Sequence, residues 1–360
     1  MSSRERHQRP PLLEVHRFRE LCALAKEFHD LEPWKYLADC NMLVIEDASS
    51  GRIRLASVLG NAGQVFGFLV HRGEPGLRWA LTAATDDAQE SHDPNFAYSQ
   101  DCSSVEFVPK RELDADDLVL LAQIGFKPFP RTRLGWLKFR SLRPGAAPWH
   151  LDQAEADLLL SDLRKIIQFA RLASQQKDLF EHRAANELPF YPMEAVFTTP
   201  LRSEDLEWQK MVLGAEPPPK AISLSDSERA ELIALPRDSN LVIELDCLYS
   251  PGLVTDGSRP YFPWMSLVVD AHNGLVLATE LENSQTEKLE HAAGRCLLRA
   301  LRKLKCRPRE ILVMRTRIAI ALAPVVQPLG ITIFKISCLP WLAQAFHILR
   351  RGIIRARKDA

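Results

Sequence analysis

The chain has 360 residues, 46% of them hydrophobic, and its 46 basic and 46 acidic side chains cancel to zero net charge. That suits two ordinary domains, each with a core of its own. No run of about 18 apolar residues occurs; the nearest, Ile318 to Ile333, is interrupted by Pro324 and Pro328, so a membrane span is not expected.

Met1 to Pro10 is basic and polar with no apolar segment behind it, which predicts a frayed end and no signal peptide. Leu12 to Leu31 reads as a helix, because Leu13, Phe18, Leu21, Leu24, Ala25 and Phe28 recur every three to four positions. Met42 to Glu46, Ile53 to Leu59 and Val65 to His71 read as strands, with Ala48 to Gly51 as the first turn. The second connection, Gly60-Asn61-Ala62-Gly63, superficially resembles a phosphate cradle. A strand follows it rather than a helix start, so a hairpin turn is expected. Glu74 to Thr85 is a predicted helix, Asp86 to Gln100 a loop, Val105 to Val108 a strand, Asp114 to Ile124 a helix and Gly135 to Ser141 a strand. Asp152 with Glu155 opens a long helix, Gln153 to Lys177.

Residues 181–220 are rich in proline and form the expected junction, with Ala195 to Thr199 and Leu206 to Val212 as possible strands. Ser225 with Glu228 caps a short helix to Leu235. Leu241 to Tyr249 is a strand. Trp264 to Asp270 and Leu275 to Leu281 form a hairpin across Ala271-His272-Asn273-Gly274, where Asn-Gly is a strong turn signal. Ser284 with Glu287 is expected to start a helix running to about Lys305. Glu310 to Arg315 (strand), Ile318 to Leu329 (helix), Ile331 to Ser337 (strand) and Trp341 to Arg350 (helix) complete the chain. The expected organisation is a disordered 1–10, an N-terminal α+β domain at 11–180, the junction, a second α+β domain at 221–350 and a basic tail at 351–360.

The seven cysteines are odd in number and contain no C-x-x-C, which argues against a disulfide framework or zinc ribbon and for a reducing cytoplasm. The ten histidines are scattered. His29, His92 and His182 adjoin acids in sequence, but neighbours in sequence do not make a metal pair, and no H-x-x-x-H occurs. No metal site is expected, nor a nucleotide motif or nucleophile elbow.

The zero net charge hides an asymmetry. From Arg295 to Ala360 fifteen Lys and Arg stand against Glu310 and Asp359, a net of +13, so the preceding chain carries −13. Arg295, Arg299 and Arg302 share a helix face, and Lys303 and Lys305 extend the charge to its C-terminal end. With Arg350, Arg351, Arg355, Arg357 and Lys358 they make a candidate phosphate track for nucleic acid or an acidic protein partner. Two other readings stay open: a solvated face, and one docked on the acidic N-terminal half. The cluster Arg259-Pro260-Tyr261-Phe262-Pro263-Trp264 is a candidate recognition surface, unless Tyr261, Phe262 and Trp264 feed the core.

The order of three antiparallel strands, helix, strand, helix, strand and helix resembles the RNase H-like fold of retroviral and transposon integrases. Leu245-Asp246-Cys247, Val268-Val269-Asp270-Ala271-His272-Asn273-Gly274, Pro308 to Val313 and Leu329-Gly330-Ile331 look like four of their motifs, over Leu241 to Arg350. The resemblance implies three carboxylates holding two Mg²⁺ ions. Only Asp246 stands in place. Met314-Arg315-Thr316 occupies the expected position of the second Asp, where Arg315 would put a fixed positive charge, and Trp341 to Arg350 has no carboxylate. The whole chain also resembles a bacterial two-domain family with no assigned activity. Glu32-Pro33-Trp34, Phe139 to Gly145 with Pro148-Trp149, and Arg259 to Pro263 carry that likeness.

The expected function is a non-catalytic binding or regulatory module with a degenerate RNase H-like domain and no cofactor. The alternative is a Mg²⁺-dependent nuclease or phosphotransferase rearranged around Asp246 and Asp270, with Glu244 or Glu280 as further acids. There, Asp270 would compete with its own role as a cap of the hairpin turn.

Overall fold

The computed structural model describes residues 13–47, 50–84, 93–130, 132–181, 183–184, 187–192, 199–256 and 259–358, and for 354–358 the backbone alone. The N-terminal tail, residues 86–92 of the 86–100 loop and residues 195–198 of the possible strand lie outside the described residues. The protein is mixed α+β, with two mixed sheets and eight α-helices among the described residues. It divides into two compact units. The first runs to Gly214 apart from Gly145–Ala147; the second is Gly145–Ala147 with the chain from Ala215 onward. None of the described helices is long and apolar enough to cross a membrane.

The first unit is built on a seven-stranded sheet of order β5-β4-β3-β2-β1-β6-β7. Its strands are β1 (Leu43–Glu46), β2 (Ile53–Leu59), β3 (Phe66–Arg72), β4 (Cys102–Val108), β5 (Trp136–Leu142), β6 (Glu187–Phe190) and β7 (Glu207–Lys210). All pairings are antiparallel except β1 with β6. The β2–β3 connection is a turn closed by Gly63 N–H on Gly60 C=O, the hairpin that its glycines predict. The expected junction contributes β6 and β7 to this sheet. β6, with Pro189 inside it, is too short to show a period in sequence.

Both faces of this sheet are covered, because Leu43 and Ile45 point one way and Met42 and Val44 the other. On the first face α1 (Val15–Leu31) and α4 (Gln153–Gln175) insert Phe18, Leu21, Phe28, Leu159, Leu163 and Phe169 against Val58, Phe68 and Phe107. Each such side chain contributes about 1.5–3 kcal/mol when fully buried. On the second, α2 (Gly73–Ala84) sets Leu77 and Ala80 against Met42, Val44 and Leu55. The short α3 (Ala115–Gln123) starts from a capping box of Asp114 and Asp117.

The second unit is a five-stranded sheet of order β10-β9-β8-β11-β12. β8 (Arg237–Tyr249) is central. β9 (Trp264–Asp270) and β10 (Val276–Glu282) form an antiparallel hairpin on one side; β11 (Arg307–Val313) and β12 (Thr332–Lys335) run parallel to β8 on the other. α5 (Asp226–Ala234) begins at the Ser225/Glu228 capping box. α6 (Leu289–Leu304) and α7 (Thr316–Val326) follow, and α8 (Pro340–Lys358) packs Leu342 and Ala345 on Leu248, Met265, Leu267 and Val269.

Two expectations are corrected here. α6 begins at Leu289 rather than near Ser284: the intervening residues turn on the Asn283 carbonyl, and Ser284 Oγ donates to Phe262 C=O, so it caps no helix. The last helix does not stop at Arg350 but continues through the basic tail to Lys358.

Candidate functional site

Glu244 and Asp246 are two apart on β8, so they share a face. It is the face of Leu248, the one covered by α8. The parallel register places Leu312 of β11 beside Glu244, so the end of β11 reaches the level of Asp246. The residue delivered there is Arg315, the N-cap of α7. Arg315 Nη1 donates to Asp246 Oδ2, while Oδ1 accepts the Cys247 N–H at 2.8 Å. The position where the integrase resemblance implies a second metal-binding acid thus carries a guanidinium, and the first acid is its partner.

Glu244 is engaged differently. Its Oε2 accepts the Leu342 N–H at 2.7 Å, at the start of α8, where free N–H groups and the helix dipole favour an anion. Burial pushes its carboxyl above the ordinary glutamate value, and the Leu342 and Trp341 N–H groups oppose that shift. Asp270 lies opposite Ile243 across β8 and β9, so it faces away from Asp246, which is three residues further along. Asp270 closes the hairpin turn, accepting from His272 N–H at 2.8 Å and Asn273 Nδ2 at 3.0 Å. Glu280, on β10, pairs with Arg299. These four acids do not converge. The donor set does not fit the two Mg²⁺ ions that the resemblance implies, which need several carboxylates a few ångströms apart.

The candidate phosphate track on α6 is largely committed to acids of the same unit. Arg295 pairs with Glu282 and Glu287, Arg299 with Glu280, and Arg302 with Glu228 and Glu231. Lys303 Nζ donates to Leu277 C=O at 3.0 Å. The +13 end is accordingly moderated: residues 215–360 hold twenty basic and fifteen acidic side chains, a net of +5. Lys305, Arg350 and Arg351 are exposed, and among the described residues none has a carboxylate partner. Arg355, Arg357 and Lys358 continue the charge along α8 in the sequence.

The aromatic cluster, a candidate recognition surface, is for the most part turned inward. Tyr261 and Trp264 are buried and Phe262 is half-buried. Tyr249 stacks on Trp264 with centroids 3.9 Å apart, and Trp264 Nε1 donates to Glu287 C=O. Tyr261 Oη donates to Asp256. These rings serve the core of the second unit.

The architecture therefore defines a two-unit α+β protein whose second sheet carries an internally neutralised acid on its central strand. Residues 18–190 match the model of a domain of unknown function, DUF7309, and residues 228–350 match that of a second, DUF6930. No curated protein and no solved structure matches the chain.

Proposed function

We propose that the second unit is a non-catalytic, RNase H-like binding module that contacts an anionic partner, nucleic acid first, through the basic end of α8. The carrying observation is the pairing of Arg315 with Asp246, which gives the one well-placed acid of the integrase-like pattern a permanent cationic partner. The element order, with the first strand central and the hairpin and parallel strands on either side of it, supports the RNase H-like reading. The exposed Lys305, Arg350 and Arg351, extended by Arg355, Arg357 and Lys358 in sequence, support an anionic ligand.

The test is fluorescence anisotropy of the purified full chain with short single- and double-stranded DNA and RNA, from low to physiological salt. Binding that weakens steeply with salt, and that falls in Arg350→Glu/Arg351→Glu, is expected of phosphate contacts. No binding even at low salt would overturn the nucleic-acid reading. Cleavage of the same oligonucleotides in Mg²⁺, lost in Asp246→Asn, would overturn the non-catalytic one.

A further inference from the structure

The start of α3 and the segment after β5 bring together a set of polar groups in the first unit. Asp114 is the N-cap of α3, and Asp116 and Asp117 lie in its first turn. His150 Nε2 is 3.7 Å from Asp114 Oδ2 and 3.9 Å from Asp116 Oδ2, and His150 Nδ1 is 3.7 Å from Asp117 Oδ1. The His150 side chain is 9% exposed. Among the described residues neither ring nitrogen has a hydrogen-bond partner, and the polar atoms they face are carboxylate oxygens, which only accept. In either tautomer of the neutral ring, one lone pair points at those oxygens with no donor between them.

Arg140 does not fill that gap. Its Nη1 and Nη2 each lie 2.7 Å from an Asp117 oxygen; Nη1 also donates to Phe139 C=O at 2.7 Å, and Nη2 to Asp114 Oδ2 at 2.8 Å. Three carboxylates against one guanidinium leave a formal charge of −2 around the ring, which a dication cancels.

We propose that Asp114, Asp116 and His150 bind a first-row divalent cation of the Zn²⁺ or Mn²⁺ class, with water completing its coordination. Ligand atoms about 2.1 Å from a tetrahedral ion stand about 3.4 Å apart; the two His150–aspartate separations close to that by a few tenths of an ångström, and the three ligand atoms all lie within 4.8 Å of one another. These separations are too long for hydrogen bonds, as atoms that share an ion are. The imidazole favours such a metal over Mg²⁺ or Ca²⁺, which take oxygen ligands. Asp114 Oδ2 has a second lone pair beside the one that Arg140 uses. Asp117, held by the Arg140 fork and the capping box, keeps its Oδ1 3.7 Å from His150 Nδ1, beyond hydrogen-bond reach. Asp114 and Asp116 are about half exposed, which leaves an entry path from solvent.

The test is titration of the metal-free full chain with Zn²⁺ and Co²⁺, read by calorimetry, thermal shift and the visible spectrum. One ion per chain is expected, with Co²⁺ bands of nitrogen and oxygen ligation and a raised Tm. Asp116→Asn and His150→Gln should each weaken binding about 10-fold or more. Asp116 makes no hydrogen bond among the described residues, so its variant tests the site with the fold intact. Three outcomes overturn the proposal: no binding up to about 1 mM; thiolate-to-cobalt charge-transfer bands, which would place the ion on cysteine; or an affinity in both variants equal to that of the parent. A fourth is a ring that NMR shows as imidazolium, unchanged by added metal, which would make a proton the occupant.

Discussion

Arg315 and Asp246, 69 positions apart in the chain, meet as an ion pair in which the two side chains are 12% and 2% exposed. A pair this buried contributes little net stability, because desolvation offsets the attraction, but removing one partner strands the other. Arg315→Ala should therefore destabilise the protein by about 3–5 kcal/mol, while Asp246→Leu/Arg315→Met should return to within about 1–2 kcal/mol of the parent. Urea unfolding followed by near-UV circular dichroism measures both. A harmless Arg315→Ala would mean that the pair is not buried as described.

Glu244 gives a subtler signature. Its carboxyl is raised by burial, so its protonated form is the better accommodated in the fold. Its contribution is largest below the unfolded glutamate value and is lost as pH rises through the higher folded one. Glu244→Gln keeps an acceptor for the Leu342 N–H and removes this slope. Glu244→Ala leaves the N–H unsatisfied at a cost of about 1–3 kcal/mol. Melting temperature against pH for the three proteins separates the cases; a Gln variant as unstable as the Ala variant would show that the charge itself caps α8.

In the first unit, His71 on β3 is 1% exposed, stacks on Trp79, and has a buried Nδ1 with no hydrogen-bond partner. Burial lowers its pKa to about 4. The unfolded chain thus binds the proton first as pH falls. Stability is fully present above about pH 6.5 and declines toward pH 4 by roughly 3 kcal/mol from this group. His71→Leu should flatten that segment of the pH–stability curve. An unchanged curve would assign the acid sensitivity elsewhere.

Gly274 ends the hairpin turn with φ +72, and a Cβ there would stand 2.5 Å from the Trp341 ring of α8. Gly274→Ala combines a left-handed backbone with a clash against a packed ring, for a loss of about 1–3 kcal/mol. A fall of several degrees in Tm is expected, and Ala at the solvent-facing Gly125, also at positive φ, separates the backbone part from the clash.

Local chemistry was legible where a few neighbouring residues decide it. Asn273-Gly274 announced its hairpin, and Asp152/Glu155 and Ser225/Glu228 marked helix starts that the structure keeps. The same logic failed at Ser284 and Glu287, because the hydroxyl is used by Phe262 C=O, from a distant strand segment. The strand at Glu187–Phe190 was illegible for another reason: four residues with a central proline carry no period, and pairing with β1 and β7 defines it. In the sequence only neighbours along the chain are visible, and they put His29, His92 and His182 beside acids. His150 lies 36 residues from Asp114, and no local spacing signals that meeting.

The sequence alone determined the α+β class and the order of elements in the second half, since residue identity and short-range periodicity settle these. Tertiary structure decided which charge meets which. It set Arg315 on Asp246, matched the α6 arginines to glutamates of β10 and α5, among others, and gathered Asp114, Asp116 and His150 at one helix start. The physical reason is range: a turn or a cap is chosen within a few residues, whereas an ion pair forms only between side chains that packing brings within about 4 Å.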